Sequence, residues 1–125
     1  MRPTCSSVRR VPSLRPDAIQ MLDRTREVHV ATPGKRLPVW AVVVDGEAYV
    51  RSYRGERGAW YRRALRDGRM TLEGVDVRVE PEHDDALNER ISEAFRAKYG
   101  ARSPESTEAM VTPEVVATTL RLTRD

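Results

Sequence analysis

The chain has 125 residues, room for one hydrophobic core and little more. Charged residues make up 33%, mean hydropathy is -0.60 and no apolar run approaches the length of a bilayer span, which excludes a helical membrane protein. Net charge is +3, but the cations are nearly all arginine and lie scattered along the chain, a pattern of a solvated surface rather than a nucleic-acid face.

Residues 1–15 read as a disordered basic leader, with Pro3, Pro12, several serines and arginines and no periodic apolar pattern. No apolar stretch follows the basic start, so it does not read as a secretory signal. Cys5 is the only cysteine, which rules out an intrachain disulfide and fits a reducing cytoplasm. Residues 16–125 form the expected single domain.

Residues 17–23 predict a short helix with Ile19 and Leu22 on one face. Strands are predicted at 27–31, 39–44 and 47–53, the last two joined by Asp45-Gly46, a pair that accepts the positive φ of a two-residue hairpin loop. That turn fixes the register. Val43 faces Ala48 and Ala41 faces Val50 on a small apolar side suited to a barrel interior. The other side carries Trp40, Tyr49, Arg51 and Tyr53, too aromatic and polar for plain solvent, and is expected to meet a ligand or a second subunit.

A glycine-bearing basic loop, Arg54-Gly55-Glu56-Arg57-Gly58, leads into a helix over 58–67, with Trp60, Tyr61, Ala64 and Leu65 as its stripe and Gly68 as its C-cap. A second hairpin spans 69–80 about Gly74, pairing Leu72 with Val75 and Met70 with Val77. Asp84 or Asp85 caps a helix running to about Tyr99 and Gly100, striped by Leu87, Ile91, Ala94 and Phe95. A polar loop holding Pro104 and a last strand at 115–123 complete the chain. The expected fold is mainly β with flanking helices, a six-stranded antiparallel barrel.

Basic strand-end residues beside backbone amides are a way to hold a phosphate. That reading needs Lys35, Arg36, Arg51, Ser52, Arg54, Gly55 and Arg57 to converge; otherwise they are surface cations of an arginine-rich chain. Trp40, Tyr53 and Trp60 are suited to flank a flat ring, and equally to core or dimer packing. Trp40 opposite Arg51 also reads as a cation–π pair without a ligand. His29 and His83 are the only histidines, no metal set or nucleophilic triad can be assembled, and the carboxylates at 73, 76, 80, 82, 84 and 85 read as solvent-facing.

Trp40-Ala41-Val42-Val43-Val44-Asp45-Gly46, Tyr49-Val50-Arg51-Ser52, the Gly55 and Gly58 loop, Trp60-Tyr61-Arg62, Ala94-Phe95-Arg96-Ala97-Lys98-Tyr99-Gly100 and Thr118-Thr119-Leu120-Arg121-Leu122 together resemble the bacterial domain of unknown function 2255. That family looks like a branch of the flavin-binding split β-barrels, beside the pyridoxamine-phosphate-oxidase-like proteins and deazaflavin-dependent nitroreductases. The resemblance implies a homodimer with a cofactor cleft between subunits. It implies FMN or the deazaflavin coenzyme F-420 as cofactor, and oxidoreductase chemistry on a small organic molecule. By the same likeness Arg51 and Ser52 match a phosphate-holding pair, Lys35 and Arg36 a basic turn, and Trp60 the tryptophan after the phosphate loop. This chain has Pro33-Gly34-Lys35-Arg36 where deazaflavin-binding relatives carry a fuller Gly-Arg-x-Ser-Gly, which leaves a cofactor-free binder or non-redox enzyme as the alternative.

Overall fold

The structure is a computed structural model that describes residues 13–32 and 35–124. Most of the expected leader, with Cys5, and the Pro33-Gly34 turn lie outside the described residues. The leader's last residues are packed: Ser13 bridges Thr123 and Leu14 is buried.

Among the described residues seven strands form one antiparallel sheet. They are β1 (Val28–Thr32), β2 (Lys35–Val39), β3 (Ala41–Val44), β4 (Glu47–Val50), β5 (Arg69–Leu72), β6 (Val75–Pro81) and β7 (Leu120–Arg124), in the order β2-β1-β5-β6-β7-β4-β3. The two outermost strands are therefore one stretch of chain, broken at Trp40. A sheet whose edges share a single linking residue must curl, and this one curls into a half-barrel. The extra strand is a correction to the six expected. Residues 35–39 pair with β1, with His29 opposite Pro38 and Ala31 opposite Arg36, so Lys35 and Arg36 belong to a strand and not to a turn. Pro38 is tolerated because β2 is an edge strand, where a missing N–H leaves no ladder bond unmade.

Both hairpins have the expected register, Val44 opposite Glu47 and Leu72 opposite Val75. Asp45-Gly46 and Glu73-Gly74 place both turn residues at positive φ, the backbone of a type I′ turn. The half-barrel's interior holds Val28, Val30, Val39, Ala41, Ala48, Val50, Leu120 and Leu122, all buried in one cluster.

Among the described residues five α-helices flank the sheet: α1 (Pro16–Arg24), α2 (Ala59–Asp67), α3 (Asp85–Tyr99), α4 (Pro104–Met110) and α5 (Pro113–Val116). Asp84 caps α3 by accepting from the Leu87 amide, and Gly68 at φ 72° ends α2. On α2, Tyr61 and Ala64 are buried, whereas Leu65 of the expected stripe is exposed.

Two segments differ from expectation. The loop at Pro104 is the helix α4, with proline at its first turn where an amide is unpaired anyway. Residues 113–119 are also not strand. Pro113 starts the short helix α5, and Thr118 and Thr119 turn their hydroxyls back onto the carbonyls of Val115 and Val116. Alternation of Val116, Thr118, Leu120 and Leu122 imitates a strand, but those back-bonds hold the first half helical.

The side of the β3–β4 hairpin that looked ready for a ligand is covered from within the chain. Val42 and Tyr49 pack beneath Ile91, Phe95 and Tyr99 of α3, with Met110 and Val115 beside them. Among the described residues no helix is long and apolar enough to cross a membrane.

Candidate functional site

Arg51 leaves the end of β4 and turns inward, only 1% exposed. Its guanidinium donates to Thr119 Oγ1 at 2.8 Å, Ser92 Oγ at 3.0 Å, and the Met110 carbonyl, the Asn88 carbonyl and Asn88 Oδ1 at 3.1 Å each. A guanidinium has five N–H groups, so every donor is taken. Among the described residues no carboxylate neutralises it, and burial, helped by the like charge of Arg96, lowers its pKa to about 10. It lies over the Phe95 ring at 5.2 Å, not against Trp40. Arg51 is thus a pin that joins α3, the end of α4 and the start of β7, with no N–H left for a phosphate.

Ser52 is likewise engaged. Its amide donates to Thr118 Oγ1 and its hydroxyl to the Gly55 carbonyl at 2.7 Å. Gly55 sits at φ 69° and its amide donates back to the Ser52 carbonyl. A Cβ on Gly58 would collide with Ser52 Oγ. Loop closure alone therefore requires both glycines. Arg54 and Arg57 point into solvent with no partner among the described residues. Arg36 is exposed and pairs with Glu73 at 3.4 Å. Trp60 packs half-buried against the barrel core, edge-on to Tyr61. The basic residues named from the sequence do not converge on one point.

Two of the predicted residues do meet. Trp40 and Tyr53 line a cavity of about 260 Å³ together with Glu27, Pro38, Ser106 and Met110. Trp40 stands at the break between β2 and β3, where its indole stacks on Tyr99 with ring centres 4.0 Å apart and planes 1° from parallel. Tyr99 is fixed in turn: its hydroxyl donates to the Arg26 carbonyl at 2.6 Å and accepts from the Ala41 amide. Burial pushes its phenol up to about 12, so it stays a neutral donor. Lys98 closes the same corner, donating to the carbonyls of Leu22 and Ala41 at 2.7 and 2.6 Å. Tyr53 follows directly after the two anchored residues Arg51 and Ser52 and is itself 59% exposed. A large aromatic held out from a fixed base beside a preset indole is suited to grip a flat ring.

A larger hollow, about 740 Å³, runs between α3 and the α4–α5 segment. Its floor groups Asn88 and Ser92 are turned to Arg51, and on its rim Arg96 pairs with Glu93 and reaches Glu108. The buried polar groups of its floor are thus committed inside the chain, while Asp85 and Glu89 on its edge are exposed.

The sequence reading missed one pair. His29 and Glu73 are far apart in the chain, yet Glu73 Oε2 accepts from the His29 amide at 2.9 Å and from ring Nδ1 at 3.0 Å, while the Glu73 amide donates to the His29 carbonyl. Those donors hold the Glu73 carboxyl below its ordinary range, the His29 ring bond first. One signal was available. A glutamate at the first position of a two-residue turn, φ 50°, sits where asparagine, aspartate or glycine is usual. Such a strained backbone position asks what the side chain gains.

The family described as "Uncharacterized protein conserved in bacteria (DUF2255)" is matched by residues 18–122, and the chain belongs to that family. Neither the curated proteins nor the solved structures gave a match.

Proposed function

We propose that this family member binds a planar heteroaromatic small molecule, of the flavin or deazaflavin kind, between Trp40 and Tyr53, in support of oxidoreductase chemistry on a small organic substrate. The observation that carries the reading is the aromatic cavity at the β2–β3 break, with Trp40 fixed from behind by Tyr99. A flat π-system gains most from flat neighbours that need no ordering on binding. The residues fit the ring of such a cofactor. They do not supply a phosphate clamp at Arg51 and Ser52, whose polar hydrogens are spent within the chain. Recognition is therefore ring-first, with Arg54, exposed and without a partner among the described residues, next in sequence to Tyr53. At about 260 Å³ the cavity takes a ring rather than a whole nucleotide, and a homodimer would wall the remainder with its second subunit.

The saturation of Arg51 also favours a second reading: the same cavity takes an aromatic substrate with no nucleotide cofactor at all.

The test is the visible spectrum of freshly purified protein, followed by equilibrium dialysis with riboflavin, FMN and deazaflavin. Binding is expected, with riboflavin and FMN within a few-fold of each other because no phosphate site is built. Trp40→Ala and Tyr53→Ala should each weaken uptake roughly tenfold, about the contribution of one aromatic contact. A colourless protein that takes up none of the three refutes the flavin reading, and uptake undiminished in both variants refutes the site.

A further inference from the structure

The outer face of the β1–β2 ribbon continues past the aromatic cavity. His29 stands directly across from Pro38, one of the cavity-lining residues, and two positions after Glu27, another, which precedes β1. Alternate residues of a strand share a face, so His29 and Ala31 stand on one side of β1, as do their partners Pro38 and Arg36 on β2. The inward set, Val28, Val30 and Val39, is buried, which confirms that His29 and Pro38 face out. The imidazole therefore lies on the face that carries Pro38, next to the cavity's lining residues without being one of them, and remains 35% exposed.

Its chemistry is set by Glu73. An ionised carboxylate only accepts, so the hydrogen of neutral His29 lies on Nδ1, where it donates to Glu73 Oε2. The second nitrogen, Nε2, then carries a lone pair and has no partner among the described residues. Arg36 holds the other carboxylate oxygen, Oε1, at 3.4 Å and favours the ionised acid. A carboxylate that orients an imidazole and balances the imidazolium once it forms is the arrangement of a proton acceptor. Among the described residues the charged groups linked to the ring are Glu73 from the β5–β6 turn and, through it, Arg36 from β2; Glu27 lies just ahead of β1. The Glu73 backbone sits in a conformation that shorter residues adopt more readily, and the longer side chain is what reaches His29.

We propose that His29, oriented by Glu73, accepts a proton from a weakly acidic aromatic ligand, such as a phenol, seated on Trp40 and Tyr53. The ligand's O–H bond breaks and an Nε2–H bond forms. The bonding pair stays on oxygen, and the phenolate faces an imidazolium whose charge Glu73 offsets. No oxidant, reductant or further reactant is required. The assignment rests on the ring-binding reading above and adds the class of ligand that the cavity would ionise.

The probe is 4-nitrophenol, whose phenolate absorbs in the visible while its phenol does not, and the protein is the full chain. Uptake is read by equilibrium dialysis, and ionisation of the bound fraction by its spectrum across pH. The bound probe is expected to ionise at least one pH unit below the free one, a tenfold or larger change in its ionisation constant. His29→Gln should remove that shift while leaving uptake of the un-ionised phenol, measured below the bound probe's ionisation, within about twofold; Glu73→Gln should diminish it, and Glu27→Gln, which takes a like charge from the wall facing the phenolate, should not diminish it. A shift that survives His29→Gln, or disappears with Glu27→Gln, overturns the assignment and leaves ring binding standing. Uptake with no shift in the unaltered protein does the same. Absence of uptake by the unaltered protein overturns both readings together.

Discussion

Replacing Arg51 by methionine keeps the aliphatic stem and deletes all five donors, and the outcome decides whether this residue is an internal pin or a ligand clamp. Hydrogen bonds to a charged group contribute about 1.5–3 kcal/mol each. Against them stands the penalty for burying the cation. A pKa lowered from 12.5 to about 10 corresponds to roughly 3 kcal/mol at about 1.4 kcal/mol per unit. The bonds outweigh it. The variant escapes the desolvation penalty but leaves two carbonyls, an amide oxygen and two hydroxyls without their donor in a buried site. A net loss of about 3–5 kcal/mol is expected, the scale for removing one side of a buried charged network. Urea unfolding followed by far-UV circular dichroism measures it. The midpoint should fall with the m-value unchanged, since the surface exposed on unfolding is the same. Arg51→Lys should recover only part of the loss, because an ammonium with three donors cannot span acceptors on α3, α4 and the residue before β7. A loss below about 1 kcal/mol refutes the pin, above all if FMN binding falls while riboflavin binding does not.

Gly58→Ala sets a Cβ against Ser52 Oγ and breaks the hydroxyl's bond to the Gly55 carbonyl, so a loss of about 1–2 kcal/mol is expected in the same unfolding assay; a neutral result would show that the loop gives way freely. Lys98 predicts a pH dependence. Burial, helped by Arg26, lowers its pKa to about 8, against 10.5 in an unfolded chain. Between those values the unfolded chain binds more protons, so this lysine's contribution to stability rises with pH. It is at its least favourable below pH 8. From pH 8 to 10 the protein should gain about 1–2 kcal/mol relative to Lys98→Met, an amount already discounted for the lysine's partial exposure. Parallel stability curves for the two proteins would sink that account. The window closes at pH 10, where tyrosines of the unfolded chain begin to ionise while buried Tyr99 holds its proton to about 12.

Local rules made much of the fold legible. Asp45-Gly46 and Glu73-Gly74 fixed two hairpins and their registers, because positive φ at both turn residues leaves one way to pair the flanking strands. Asp84, Gly68 and the stripe Leu87, Ile91, Ala94, Phe95 marked helix ends and a buried face for the same local reason. The misreadings were equally local in origin. Alternating apolar residues at 116–122 satisfied the strand pattern on both sides of a helix end. An apolar run across residues 39–44 concealed a break at Trp40.

The site divides along the same line. The chain by itself named Trp40 and Tyr53 as aromatic and misplaced, and it named Arg51 and Ser52 as chemically conspicuous. Only the folded chain settled what each does, since a guanidinium's role depends on which acceptors surround it. Helix α3, more than thirty residues downstream, supplied three of those five acceptors and covered the face left open by the hairpin. His29 and Glu73 became partners for the same reason: antiparallel pairing of β1 with β5 brings together residues that no sequence period connects. Periodicity and turn chemistry act over a few residues and can be read along the chain. Contacts between distant segments are decided by how the sheet curls.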